Sequence, residues 1–122
     1  MAKRFAKITK YQESFLKKSW PGKITVVLKR GSGKIYGVNK KTIALRCPDN
    51  VLVILLLKKL NNPLVQTSAN ISGKETLKTG KEIIKEFANK RIKPDLIIDG
   101  GILKNKQSTL IDLTTFPYKI LR

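Results

Sequence analysis

Trp20-Pro21-Gly22-Lys23-Ile24-Thr25-Val26-Val27-Leu28 is the stretch from which the fold is read. Pro21 and Gly22 stop any helix arriving from upstream, because proline lacks the helical N–H and glycine is a poor helix former. The β-branched run behind them predicts a short strand. Upstream, Phe5 to Trp20 reads as a helix, with Ile8, Tyr11 and Phe15 at i, i+3 and i+7 and Leu16 beside them. Downstream, Gly31-Ser32-Gly33 is a turn, and Lys34-Ile35-Tyr36-Gly37 is the candidate returning strand. Thr42 to Arg46 predicts another strand, broken at Pro48, after which Asp49 or Asn50 can cap a helix.

That helix, Val51 to Leu60, is apolar nearly all round and is expected to be buried. Pro63 to Thr67 reads as a short apolar strand opening into the polar loop Ser68-Ala69-Asn70-Ile71-Ser72-Gly73. Thr79-Gly80-Lys81-Glu82 has the spacing of a capping box, and Ile83, Ile84, Phe87 and Ala88 form the stripe of a third helix. Asp95 to Asp99 predicts a buried strand closed by Gly100-Gly101; Thr109 to Leu113 and Tyr118 to Arg122 predict two more. Helices and strands are interspersed without strict alternation. The expectation is an α/β (α+β) domain over residues 1–122, a mixed sheet flanked by helices.

Composition narrows the function classes. The 122 residues are enough for one domain, and a hydrophobic fraction of 41% is too high for a disordered basic tail. Histidine is absent, which removes Ser-His-Asp and Cys-His catalysis and the commonest metal ligand. The single cysteine, Cys47, forms no disulfide framework and suits a reducing, cytoplasmic setting. Before Pro48 it reads as core filling rather than as a nucleophile. The longest apolar run, Val51 to Leu57, is too short to span a bilayer, so no membrane is expected. The 26 basic and 8 acidic residues give +18. Such a charge attracts polyanions, although spread lysines also arise from coding bias alone. Among the 5 arginines, Arg46 and Arg122 sit beside strand-like runs, where a planar five-donor fork is informative.

No metal-ligand spacing is present. Asp95, Asp99 and Asp112 can offer oxygens to Mg²⁺ or cap turns. Gly31-Ser32-Gly33-Lys34 lacks the spacing of a phosphate loop. The loop Thr67 to Gly73 sets hydroxyls, a carboxamide and backbone N–H groups at the end of an apolar run. It is either an anion-binding loop or an ordinary Ser/Asn/Gly turn.

The motifs, taken together, resemble the YrdC-type threonylcarbamoyl-adenylate synthases. Trp20-Pro21-Gly22 with Thr25 and Leu28 looks like the family's WPGxxTxxL, and Ile43 to Asn50 like its VxxRxPxH. Pro63-Leu64 with Thr67-Ser68-Ala69-Asn70-Ile71-Ser72-Gly73 resembles P-L-x-x-TSAN-x-SG. Asp95 to Gly101 is similar to D-x-I-x-D-G-G, Ser108 to Leu113 to STxxDL, and Ile120-Leu121-Arg122 to ILR. Motifs in the same order cover almost the whole chain.

The resemblance implies a YrdC/RibB-like twisted sheet and an enzyme, a nucleotidyltransferase joining L-threonine, bicarbonate and ATP into threonylcarbamoyl-AMP with release of pyrophosphate. Mg²⁺ accompanies the ATP. The product serves threonylcarbamoyladenosine modification of tRNA, with tRNA-threonylcarbamoyl transfer proteins as partners. By position, Arg46 would hold the threonine carboxylate, with the Gln66 backbone and Ser108 on the threonine side. Thr42, Ser68, Asn70, Thr76 and Arg122 would meet the nucleotide. Asn50 stands where the family commonly has His. Family members also begin upstream, with further strands and a K-x-R…K stretch, so the chain is expected to be the C-terminal portion of the domain. A separate N-terminal portion is then one expected partner. Three alternatives remain: a non-catalytic module binding tRNA or double-stranded RNA, an incomplete fragment inactive alone, and a paralogue taking another carbamoyl compound.

Overall fold

In the computed structural model, which describes residues 1–36, 39–102 and 107–122, β1 (Ile24–Lys29) is the central strand of a four-stranded sheet. The order is β2-β1-β3-β4, with β2 at Thr42–Leu45, β3 at Thr109–Asp112 and β4 at Lys119–Ile120. β1 pairs antiparallel with β2 and parallel with β3, and β3 pairs antiparallel with β4. The mixed sheet expected from the sequence is present. It belongs to a unit built from Met1–Leu64 and Gln107–Arg122; a second unit comprises Val65–Lys106.

Alternation along β1 decides which face is core. Val26 and Leu28 are fully buried with Ile43, Leu113 and Leu16, and Phe5 and Ala6 complete the cluster. The helix supplying Leu16, α2 (Lys10–Ser19), is shorter than the Phe5–Trp20 expectation. A four-residue turn, α1 (Ala2–Phe5), precedes it, and the chain then extends. Ala6 bridges Arg30, and the Lys7 N–H donates to the Lys29 carbonyl at 2.9 Å. The start of α2 is fixed by a capping box: Thr9 Oγ1 accepts from the Gln12 N–H, and Gln12 Oε1 accepts from the Thr9 N–H. Gln12 Nε2 also donates to the Leu113 carbonyl at 2.7 Å, tying the helix to the end of β3. At its other end, Trp20 Nε1 donates to the Ile24 carbonyl, closing the turn into β1.

Lys34 to Tyr36 form no strand, and Gly37 lies outside the described residues. The Arg30 guanidinium holds this loop instead, donating to the carbonyls of Gly33, Ile35 and Asn39. Gly33 is required there, because a Cβ would overlap the Phe5 ring and the Arg4 carbonyl. Tyr118 to Arg122 contributes only Lys119–Ile120 to the ladder.

α3 (Val51–Leu60) begins where expected, with Asn50 Oδ1 accepting from the Val53 N–H at 3.0 Å, and it ends at Asn61 in the left-handed region. The expectation of burial fails. None of its residues is buried, and Leu52 and Leu55 are 59% and 57% exposed. An apolar helix needs a surface to cover it, and the core face of this sheet is already taken by α2 and the N-terminal segment.

In the second unit, α4 (Gly80–Phe87) has the expected capping box, with Glu82 accepting from the N–H groups of Lys78 and Thr79. Those bonds hold the Glu82 carboxyl below its ordinary range. Neither Pro63–Thr67 nor Asp95–Asp99 is a strand. Leu96 and Ile98 are exposed, because no described segment runs beside them to complete a ladder.

Asp112 gives the first unit an acid-sensitive fastening. Its Oδ1 accepts from Thr114 Oγ1 at 2.7 Å and from the Thr114 N–H at 2.8 Å, and these bonds lower its pKa. A depressed carboxylate contributes stability above its unfolded value, near 3.9, that is lost as pH falls through the folded one. Asp112→Asn is expected to lower the urea midpoint at neutral pH and to lose less on acidification than the parent. Superimposable midpoint-against-pH curves would exclude this contribution.

Candidate functional site

The sheet face opposite the core carries most of the candidate residues of the first unit. Residues alternate, so Thr42, Ala44 and Arg46 turn away from Ile43 and Leu45, and Thr25 and Val27 away from Val26 and Leu28. Thr25 Oγ1 and Ser108 Oγ are hydrogen-bonded at 2.7 Å, and Ser108 is buried. The Thr109 N–H donates to the Lys23 carbonyl, which fixes Ser108 at the entry to β3. Arg46 follows Leu45, the partner of Val26, so it leaves β2 beside the Thr25 end of β1. The Gly22 N–H donates to the Cys47 carbonyl at 2.9 Å and holds the chain there past the end of the ladder.

Arg46 is exposed and makes no hydrogen bond or ion pair with a described residue. A guanidinium that bonds to no described residue, next to a partly buried hydroxyl pair, suits a small carboxylate with adjacent polar groups. Thr42 shares the face but lies about 13 Å up the strand, at four residues of ~3.3 Å each. Its N–H donates to Asn39 Oδ1. Arg122 gives its carbonyl to the Leu110 N–H at 2.9 Å, and its side chain is exposed.

Gln66, Ser68, Asn70 and Thr76 share one segment of the second unit. Asn70 organises it: Nδ2 donates to the carbonyls of Ile71 and Lys74 at 3.0 and 2.7 Å. The Lys74 N–H returns to the Ile71 carbonyl, with Gly73 at φ +83°, the conformation a type II turn requires at its third residue. Asn70 Oδ1 is buried and accepts from no described donor. Gln66, Ser68 and Thr76 are exposed. A shallow cavity of about 200 Å³ lies against Asn70, Lys74 and Glu86, below the ~300 Å³ at which small-molecule pockets begin.

Of the aspartates, Asp99 and Asp112 are turn caps, with Asp99 Oδ1 accepting from the Gly101 N–H at 2.8 Å. Among the described residues no three His, Cys, Asp or Glu side chains gather to hold a metal ion. No described helix is long and apolar enough to cross a membrane. Thr25, a motif position with no site role expected from the sequence, joins the site through its bond to Ser108. The signal was present, since it is the one polar residue of the Ile24–Leu28 run.

The chain is 33% identical over 113 residues to the threonylcarbamoyl-AMP synthase of Pyrococcus abyssi, covering 90% of this chain and 32% of that protein. It is 36% identical over 102 residues to the uncharacterized protein YciO of Escherichia coli, covering 81% and 48%. The structure of P. abyssi Sua5 complexed with L-threonine matches with a TM-score of 0.85 at 32% identity, over 99% of this chain and 36% of that one. E. coli YciO matches with 0.84 at 30%, over 99% and 59%. The chain thus spans about half or less of the curated relatives it matches. Since the family model of the Sua5, YciO and YrdC proteins, described as telomere recombination, matches residues 1–122, the chain belongs to that family.

Proposed function

We propose that this chain supplies the threonine-side and part of the nucleotide-side contacts of an L-threonylcarbamoyladenylate synthase. The observation that carries the reading is the placement of Arg46, which bonds to no described residue, beside the Thr25–Ser108 hydroxyl pair on one sheet face. Relatives named threonylcarbamoyl-AMP synthase, and the threonine complex of one of them, support it.

Threonine presents a carboxylate, an amine and a hydroxyl. The Arg46 fork is suited to the carboxylate, and the hydroxyl pair to the polar end opposite it. The amine nitrogen attacks bicarbonate carbon and water leaves, giving a carbamate. A carbamate oxygen then attacks the α-phosphorus of ATP, and the bond to pyrophosphate breaks. Positioning and neutralisation of phosphate charge do most of this work, so the absence of histidine is no obstacle. Thr42, Ser68, Asn70, Thr76 and Arg122 are assigned to the nucleotide. Asn70 Oδ1 is the acceptor with capacity to spare. Mg²⁺ enters with ATP as substrate, because the described side chains build no cage for it. Transfer of the threonylcarbamoyl group to tRNA falls to partner proteins.

Incubation with ATP, Mg²⁺, bicarbonate and L-threonine is expected to release pyrophosphate only when threonine is present. A folded sample that neither releases pyrophosphate nor binds threonine would remove this reading. Salt-steep binding to double-stranded RNA without threonine dependence would favour the binding module instead.

A further inference from the structure

Four aromatic rings meet on the surface of the first unit, away from Arg46 in the sequence and unused by threonine chemistry. Tyr118 stands at the centre, with ring centroids 6.1 Å from Tyr11, 6.3 Å from Phe15 and 5.9 Å from Phe116. Tyr11 and Phe15 lie one turn apart on α2, and Phe116 and Tyr118 precede β4. Two of the four are outward: Tyr11 is 67% exposed and Phe116 is 82% exposed. Tyr118 is half-buried, and desolvation raises its hydroxyl pKa, so it stays neutral.

We propose that this cluster is a stacking platform for unpaired bases of a single-stranded nucleic acid. Exposed rings held in place by a neighbouring ring stack on a base with little further loss of freedom, and every base offers a π-face. The charge around them fits a phosphate backbone. Lys10 and Lys119 flank Tyr11 and Tyr118 in sequence, within a chain of net charge +18. Nearby acids are turned to other work: Glu13 is held by Lys3 at 2.8 Å and Lys17 at 3.6 Å, and Asp112 by Thr114. Glu13 is two residues from Tyr11, which on a helix places it on the far side. Of the cluster's two residues on α2 only Tyr11 is outward, since Phe15 is half-buried against the core. Ile120 and Leu121, which follow Tyr118, are exposed, so a lipid surface is the competing occupant that the vesicle arm of the test separates.

The test titrates the chain with a fluorescent oligouridylate of about 10 nucleotides, the same strand annealed to oligoadenylate, and phosphatidylserine vesicles. Tyr11→Ala combined with Phe116→Ala is expected to weaken single-strand binding by about tenfold or more while leaving the salt slope and duplex binding unchanged. Phe116→Tyr, which keeps the ring, is expected to bind as the parent does. Both positions are exposed, and circular dichroism checks that the variants remain folded. Unchanged single-strand affinity in the double variant would overturn the proposal, as would equal losses on single strand and duplex. A loss confined to vesicles would overturn it in favour of a membrane contact. Threonine-dependent pyrophosphate release is expected to persist in the double variant, so the two readings fail separately.

Discussion

Arg46→Ala is expected to weaken L-threonine binding by about 10- to 100-fold and to abolish threonine-dependent pyrophosphate release at moderate threonine concentrations. The size follows from the interaction removed, since hydrogen bonds to a charged group contribute about 1.5–3 kcal/mol each in net terms. Arg46 makes no hydrogen bond or ion pair with a described residue, so its loss is not expected to lower fold stability measurably. That separation makes the experiment decisive: a binding defect with an unchanged urea midpoint points to the ligand. Arg46→Lys keeps the charge and loses the fork, and is expected to recover only part of the affinity. Ser108→Ala should behave differently. Ser108 is buried and bonded to Thr25, so its removal leaves a hydroxyl without its partner and lowers stability as well as binding. Calorimetric titration with threonine, alongside unfolding of each variant, distinguishes these outcomes. An Arg46→Ala protein that binds threonine like the parent would dismiss the assignment.

What was legible in the sequence was what depends on neighbours along the chain. Asn50 and the Thr79–Glu82 pair cap helices through bonds spanning three residues, and both do so where expected. The Ile24–Leu28 run became the central strand because its β-branched residues favour extension and alternate into the core. Apolar periodicity misled at the N-terminus, where Phe5 and Ile8 fit a helical stripe. The Thr9–Gln12 capping box sets the true start instead. Hydrophobicity misled more deeply in Val51–Leu60 and Asp95–Asp99. An apolar run reports the need for a covering surface, and says nothing of whether the chain supplies one. At the site, Arg46, Ser108 and Thr25 all lie in motifs that resemble the family's, and the bond to Ser108 is what gives Thr25 its place there.

The contrast between a supplied and an unsupplied surface predicts the largest stability difference in the molecule. Leu28 is wholly buried at the centre of the sheet, and Leu28→Ala is expected to cost about 2–5 kcal/mol, the lost transfer energy plus the cavity left behind. Against a typical total of about 5–15 kcal/mol, that takes much of the stability of the unit. Leu55→Ala removes the same atoms from α3, where the side chain is 57% exposed, and is expected to change stability by only about 0.5 kcal/mol. Urea unfolding of both variants at low protein concentration measures the difference. If the two cost the same, α3 is covered in solution, and raising the protein concentration should then raise the Leu55 midpoint but not that of Leu28. The chemical asymmetry sharpens the point: Leu55→Lys should be tolerated and improve solubility on an open face, because its charge stays in water. On a covered face the same lysine would carry an unpaired charge into apolar contact and unfold or dissociate the protein. One helix position thus reports whether the apolar surface of α3 is open or occupied.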